Sequence, residues 1–314
     1  MINLYFDPYL NESKNLNVDY HLCLSHSIVN FEKESNSFTY HPNLDILDNG
    51  LENYVLFFGS LVDVDIDLIF RLKYVQKCKI LYWNTEGPFE NIYLQKFINY
   101  IDFYFTNDIG NFHQITSKVN TIFLPLAACK ECAFLEVSSP TIYRTLFFGN
   151  SYGTRSDLFL SLPRNVLDQI DFVGSGWPED FNIVDKYIGP NQICKIMAKY
   201  SKVLDLQRSY NLSDKLHTFR GSTIGPRIFM ASAVGSQTFS YGSIQDDGKL
   251  IPPGLIKFSD NLCDLIEFID SQTIALGEVD RKILIKHTYE FNTFESRINK
   301  IINIISKIEK CDSL

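Results

Sequence analysis

Thr145-Leu146-Phe147-Phe148-Gly149-Asn150-Ser151-Tyr152-Gly153-Thr154-Arg155 is the stretch that decides the fold. Residues 145–149 read as a short buried strand, a Gly/Asn/Ser turn follows at once, and the apolar spacing over 155–162 is helical. A strand that ends in a glycine turn and runs straight into a helix is the opening of a parallel α/β unit. In such a unit, backbone N–H groups at the turn and the helix N-terminus face any anion bound at the strand end.

The same rhythm continues downstream. Residues 170–173 read as a strand closed by Gly174-Ser175-Gly176, followed by a helix over 191–200, a strand over 202–206, a helix over 228–234 and a strand over 237–240. A Gly/Pro-rich loop, a strand over 255–258 and a helix over 262–269 complete the series. Upstream, strands over 55–59, 79–83, 103–106 and 121–124 alternate with helical stretches over 65–74, 89–100 and onward to 118, which describes a second parallel sheet with covering helices. A chain of 314 residues accommodates two such units. The expected architecture is α/β, with a first domain over 1–136, a second over 137–286, and a C-terminal helix from 287 to 314. Residues 129–140 change composition and read as the linker.

The tail supports that last helix. Phe291, Phe294, Ile298, Ile301, Ile302, Ile305 and Ile308 recur at spacings of three and four and build one apolar stripe. Such a stripe either packs on a core or, given Lys300, Lys307 and Lys310, touches a membrane surface; packing is the preferred reading, which leaves membrane contact at most peripheral. The first 50 residues offer only two short apolar runs, at 3–6 and 21–24, read as edge strands, and no chemistry.

A net charge of −8 provides no global field for nucleic acid or anionic lipid, so nucleic acid is not an expected partner. A compact anionic ligand needs only a few local cations and N–H groups. Seven cysteines, at 23, 78, 129, 132, 194, 263 and 311, are scattered through apolar segments and read as free thiols of a reducing compartment. With no basic, apolar leader and no apolar run of ~18 residues, the expected location is the cytoplasm.

Three Gly/Ser-rich turns in the second series carry the candidate anion chemistry. The first holds Gly149, Ser151 and Arg155; Arg155 either forks onto a phosphate or pairs with Asp157 on the surface. The second, Gly174-Ser175-Gly176-Trp177, has neither phosphate-loop nor dinucleotide spacing. The third, ending Gly225-Pro226-Arg227, opens a helix, and Arg208, Lys215 and Arg220 upstream add positive charge sufficient to neutralise a diphosphate. A solvated loop is the alternative.

In order along the chain, Phe147-Phe148-Gly149 with Arg155, then Phe172-Val173-Gly174-Ser175-Gly176-Trp177, Tyr187-Ile188-Gly189, and Tyr200-Ser201-Lys202-Val203-Leu204-Asp205 resemble the CgeB-like, spore-maturation type glycosyltransferases of the GT-B fold. So do Gly225-Pro226-Arg227-Ile228-Phe229 with Ala233-Val234-Gly235, and, in the first half, residues 83–88, 103–108 and 124–128. The resemblance implies two Rossmann-like domains facing a cleft, with the last helix crossing back to the first. It implies a nucleotide-diphosphate sugar held by the C-terminal domain, no metal and no further cofactor, and retention of configuration. The acceptor, a carbohydrate, a protein or a small molecule, would sit on the N-terminal domain. The family's helix typically begins Arg-x-Phe-Glu, with the Glu on the donor ribose; here Met230 occupies that position and cannot accept a hydroxyl bond as a carboxylate does. The departure leaves three readings open: an unusual donor, a ribose contact from elsewhere, or a degenerate module that binds without turnover.

On the first sheet, Glu86 follows a strand directly, with Asn107 and Asp108 at the next strand end. They are the acceptor-side candidates, Glu86 also being a possible helix cap, and Glu86 with Arg227 are the candidate catalytic pair. Other signals are weak. Cys129 and Cys132 lack a second pair for zinc, and the six histidines do not cluster. The Asp63-Val64-Asp65-Ile66-Asp67 run reads as helix capping.

Overall fold

The structure, a computed structural model, describes residues 2–7, 18–35, 38–45, 52–62, 64–110, 115, 119–130, 139–151, 154–188, 190–206, 221–242, 250–271 and 276–312. The chain forms two compact units. One comprises Met1–Leu126 with Phe294–Leu314, and the other Ala127–Thr293.

The first unit is built on six parallel strands: β1 (Ile2–Tyr5), β2 (Phe38–His41), β3 (Asn53–Gly59), β4 (Lys79–Asn84), β5 (Phe103–Thr106) and β6 (Asn120–Phe123), in the order β2-β1-β3-β4-β5-β6. Strands β3 and β5 are buried along their whole length, as a sheet covered on both faces requires. One face packs Val55, Phe57, Ile80, Tyr82 and Tyr104 against Ile69, Leu72, Leu94 and Phe97. On the other, Phe294, fully buried, sets its ring 5.9 Å from Tyr20, 6.1 Å from Phe58 and 5.9 Å from Trp83. Burying one such ring stabilises by about 2–3 kcal/mol. The helix it begins, Phe294–Asp312, buries Ile298, Ile301, Ile302 and Ile305. Arg297 holds it in place by donating to the Pro125 carbonyl at 3.0 Å.

Three expectations for this half change. Residues 21–24 lie inside a helix, Val18–Ser35, because Leu24 and Ile28 continue a helical stripe that a four-residue window does not reveal. Residues 3–6 do form β1, but it lies between β2 and β3 rather than at the edge. The helix expected over 89–100 is two 3₁₀ turns, Asn91–Lys96 and Ile98–Tyr100. Asp65 caps Ile66–Phe70 by accepting from the Leu68 N–H at 2.9 Å.

The second unit carries β7 (Ile142–Phe148), β8 (Ile170–Val173), β9 (Asn182–Asp185), β10 (Tyr200–Leu206), β11 (Gln237–Tyr241) and β12 (Ile256–Ser259), all parallel, in the order β12-β11-β10-β7-β8-β9. Its core stacks Phe147, Phe159, Phe172, Trp177 and Phe181. The strand order reverses between β7 and β10, and in open parallel sheets the crevice at such a reversal is the usual ligand position.

Cys23, Cys129 and Cys194 are disulfide-bonded, and Cys78 and Cys263 are free. The expectation of free thiols throughout fails for the first three, because pairing depends on spatial proximity that sequence spacing does not encode. Among the described residues no helix is long and apolar enough to cross a membrane, and no group of His, Cys, Asp or Glu is placed to hold a metal ion.

Candidate functional site

The reversal between β7 and β10 is where the second unit gathers its polar residues. Strand β7 ends at Gly149, whose φ of 153° lies in the region glycine favours. Its N–H donates to Val173 O at 2.8 Å, and its carbonyl accepts from Trp177 Nε1 at 2.9 Å. Gly174 ends β8 with φ 142°, and a Cβ there would stand 2.3 Å from Gly149 O, so only glycine lets the two turns approach. Ser151 N–H donates to Ser175 O at 2.9 Å, while Asn150 Oδ1 accepts from Ser175 N–H at 2.8 Å and from Ser175 Oγ at 3.1 Å. The first two glycine turns are thereby one structure, held rigid by backbone bonds.

Two guanidiniums flank it. Arg155, at the start of helix Thr154–Leu160, is buried and donates to Asn150 O and to Leu206 O, each at 3.2 Å. These bonds tie the turn after β7 to the end of β10. Arg227 enters from the start of helix Pro226–Ala233, donating from Nη1 to Leu206 O at 3.2 Å and to Asp205 Oδ1. A Cβ at Gly149 would lie 3.2 Å from Arg227 Nη2 and 3.4 Å from Arg155 Nη1. Both guanidiniums lie over the Phe147 ring, at 5.8 Å for Arg155 and 5.4 Å for Arg227. The Arg227 side chain retains 16% exposure whereas Arg155 is buried, so Arg227 is the more exposed of the two cations.

The helix Pro226–Ala233 begins at Gly225, extended at φ −80°, ψ 167°, with no side-chain cap. Its first-turn N–H groups therefore rely on backbone, water or ligand. Met230 is buried, as is every residue of this helix from Ile228 to Ala233. The structure thus brings together Gly149, Ser151, Arg155, Gly174, Ser175, Gly225 and Arg227. Arg208, Lys215 and Arg220 lie outside the described residues.

Asp205 and Ser240 were not singled out from the sequence. They are register partners on β10 and β11, and Ser240 Oγ donates to Asp205 Oδ2 at 3.0 Å. The available signal was a polar residue one place before the end of each strand, Asp205 between Leu204 and Leu206 and Ser240 between Phe239 and Tyr241.

In the first unit, Glu86 follows β4 in a bend, with its N–H donating to Asn84 Oδ1 at 2.8 Å. Asn107 Nδ2 donates to Thr85 O at 2.8 Å, and its Oδ1 would be 2.7 Å from a Cβ at Gly87, so Asn107 and the Glu86 turn are packed together. Asp108 is buried and accepts from Gly110 N–H at 2.9 Å, closing a turn. Glu90, also unforeseen, is a buried carboxylate that accepts from Ser60 Oγ at 2.8 Å and from Leu61 N–H at 2.7 Å. Tyr104 links this edge, accepting from Asn84 Nδ2 at 2.7 Å; burial raises its phenol well above the ordinary value.

Two parallel α/β units with a final helix returned to the first define the GT-B class of fold. No family model and no curated relative matches the chain. Solved structures do. HepE of Anabaena in complex with UDP superposes with a TM-score of 0.55 at 10% identity, covering 98% of this chain and 100% of that one. Its complex with UDP-glucose gives 0.54 over the same shares and at the same 10% identity. Sucrose-phosphate synthase of Thermosynechococcus elongatus gives 0.52 at 8% identity, covering 96% of this chain and 81% of that one. At these identities the likeness establishes the fold.

Proposed function

We propose that this chain is a glycosyltransferase that moves a sugar from a nucleoside diphosphate sugar to an acceptor, with the diphosphate seated at the carboxyl ends of β7 and β10. The observation that carries the proposal is the convergence of two guanidiniums and an uncapped helix N-terminus on two interlocked glycine turns at the strand-order reversal. Fixed positive charge at that point stabilises the negative charge that develops on a departing diphosphate, and it costs no reorganisation during the reaction. Arg227 makes the direct contact. Arg155 is buried beneath it and acts through the field and the turn it braces. Arg208, Lys215 and Arg220 stand in the chain between β10 and Arg227, and we assign them to the same anion. HepE was solved with UDP, which supports a nucleoside diphosphate here.

From the resemblance of its motifs we further propose a CgeB-like subtype, retention of configuration and independence of a metal. Glu86 is the acceptor-side carboxylate of this scheme, placed by the Asn107-braced turn. A second reading is a module that binds the donor without turnover. It is favoured by Met230, a buried thioether where the resembled family has a ribose-binding carboxylate.

A screen of UDP, GDP, dTDP, ADP and CMP sugars by thermal shift and nucleotide release tests both. A stabilising nucleoside diphosphate sugar that is also hydrolysed or transferred supports the enzyme. Stabilisation without release supports the module, and no shift with any of the five rejects the diphosphate site.

A further inference from the structure

We propose that Asp205 is a positioning residue that aims Arg227 at the diphosphate. The proposal rests on the donor-site reading above and adds to it a residue that touches only protein. Asp205 is 1% exposed at the carboxyl end of β10, and a carboxylate that deep is tolerated only when its oxygens are engaged. Both are engaged: Oδ1 accepts from Arg227 Nη1, and Oδ2 accepts from Ser240 Oγ at 3.0 Å. The strand register fixes Ser240 opposite Asp205, so the carboxylate cannot rotate freely.

The guanidinium is planar, so fixing one nitrogen fixes the others. With Nη1 committed to Asp205 and to Leu206 O, Nη2 is turned toward Gly149, 3.2 Å from where a Cβ would stand. Asp205 also places a negative charge close to the proposed anion, which by itself opposes binding. The two roles predict opposite signs. Removing the charge while keeping the shape tightens anion binding if Asp205 acts only as a charge, and weakens it if Asp205 orients Arg227.

The test is UDP affinity, measured by calorimetry, for wild type, Asp205→Asn, Arg227→Ala and the double variant. The expected outcome is roughly tenfold weaker binding in each single variant, about 1.4 kcal/mol. In the Arg227→Ala background, Asp205→Asn is expected to cause no further loss or a partial recovery. Such non-additivity is not produced by a merely structural role, which would lower stability in both backgrounds. Should Asp205→Asn fail to fold, Ser240→Ala loosens the same carboxylate and is expected to weaken UDP binding about threefold. Wild-type or tighter UDP binding in the carboxylate variant, with Arg227→Ala still weakened, overturns the positioning role and leaves the donor site standing. Undiminished binding in Arg227→Ala overturns the donor site itself.

Discussion

Arg155 and Arg227 donate to one acceptor, the Leu206 carbonyl oxygen, at 3.2 Å each, and face the same Phe147 ring. Two like charges at such range repel, and Asp205, bonded to Arg227, offsets part of that repulsion. The two arginines differ in placement: Arg155 is buried and braces the turn, while Arg227 retains 16% side-chain exposure.

Arg155→Met removes the two carbonyl bonds that join the turn after β7 to β10. The expected loss is about 2–4 kcal/mol of unfolding free energy, since bonds to a charged donor are worth more than neutral ones. Urea titration followed by tryptophan emission reports it, because Trp177 bonds to Gly149 in the same turn.

Gly174→Ala drives a Cβ to 2.3 Å from Gly149 O at a φ of 142°. The expected cost is about 3 kcal/mol or more, with loss of nucleotide binding as the turns separate. Gly254→Ala is the control: its φ is 80° but nothing lies within 4 Å, so the penalty is near 1 kcal/mol. Equal denaturation midpoints for the two variants would contradict the interlocked-turn geometry.

Lys202 donates from Nζ to the carbonyls of Phe268 at 2.8 Å, Ile269 at 2.7 Å and Ser271, capping the helix Leu262–Asp270 from inside. Burial pushes its ammonium down from 10.5 to about 8. Between those values the unfolded chain binds the proton that the native chain has lost, so stability rises with pH, by about 1 kcal/mol per unit for this one group. Below pH 8 the contribution levels off. Lys202→Met is expected to flatten the slope between pH 8 and 10 relative to wild type in guanidinium titrations.

With Cys23, Cys129 and Cys194 disulfide-bonded, denatured protein without reductant is expected to react as fewer than seven thiols. Dithiothreitol restores the full count and lowers the melting temperature, since removing a native crosslink costs about 2–4 kcal/mol. Titration of all seven before reduction would refute the bonding.

Strands β3, β7 and β8 were legible because they are largely apolar runs closed by glycine, as at Phe147-Phe148-Gly149. Strand β9 escaped notice because Asn182–Asp185 is a mostly exposed edge with no apolar alternation. Residues 91–100 carry enough apolar side chains to suggest a helix, but the geometry is 3₁₀, a distinction of backbone hydrogen bonding that composition does not record. Arg227 was readable from its place after Gly225-Pro226. Asp205 was not, because its function arises from the register of β10 with β11 and from a side chain that arrives 22 residues later.

The covering of the first sheet by Phe294 has a consequence for biosynthesis. Its partners Tyr20, Phe58 and Trp83 are all translated long before it, while Ala127–Thr293 can fold as soon as it leaves the ribosome. One aromatic flank of the earlier unit thus waits, uncovered, until residue 294 has been made. That interval exposes the nascent chain to aggregation, and truncations just before Phe294 should be recovered as insoluble material or bound to chaperones.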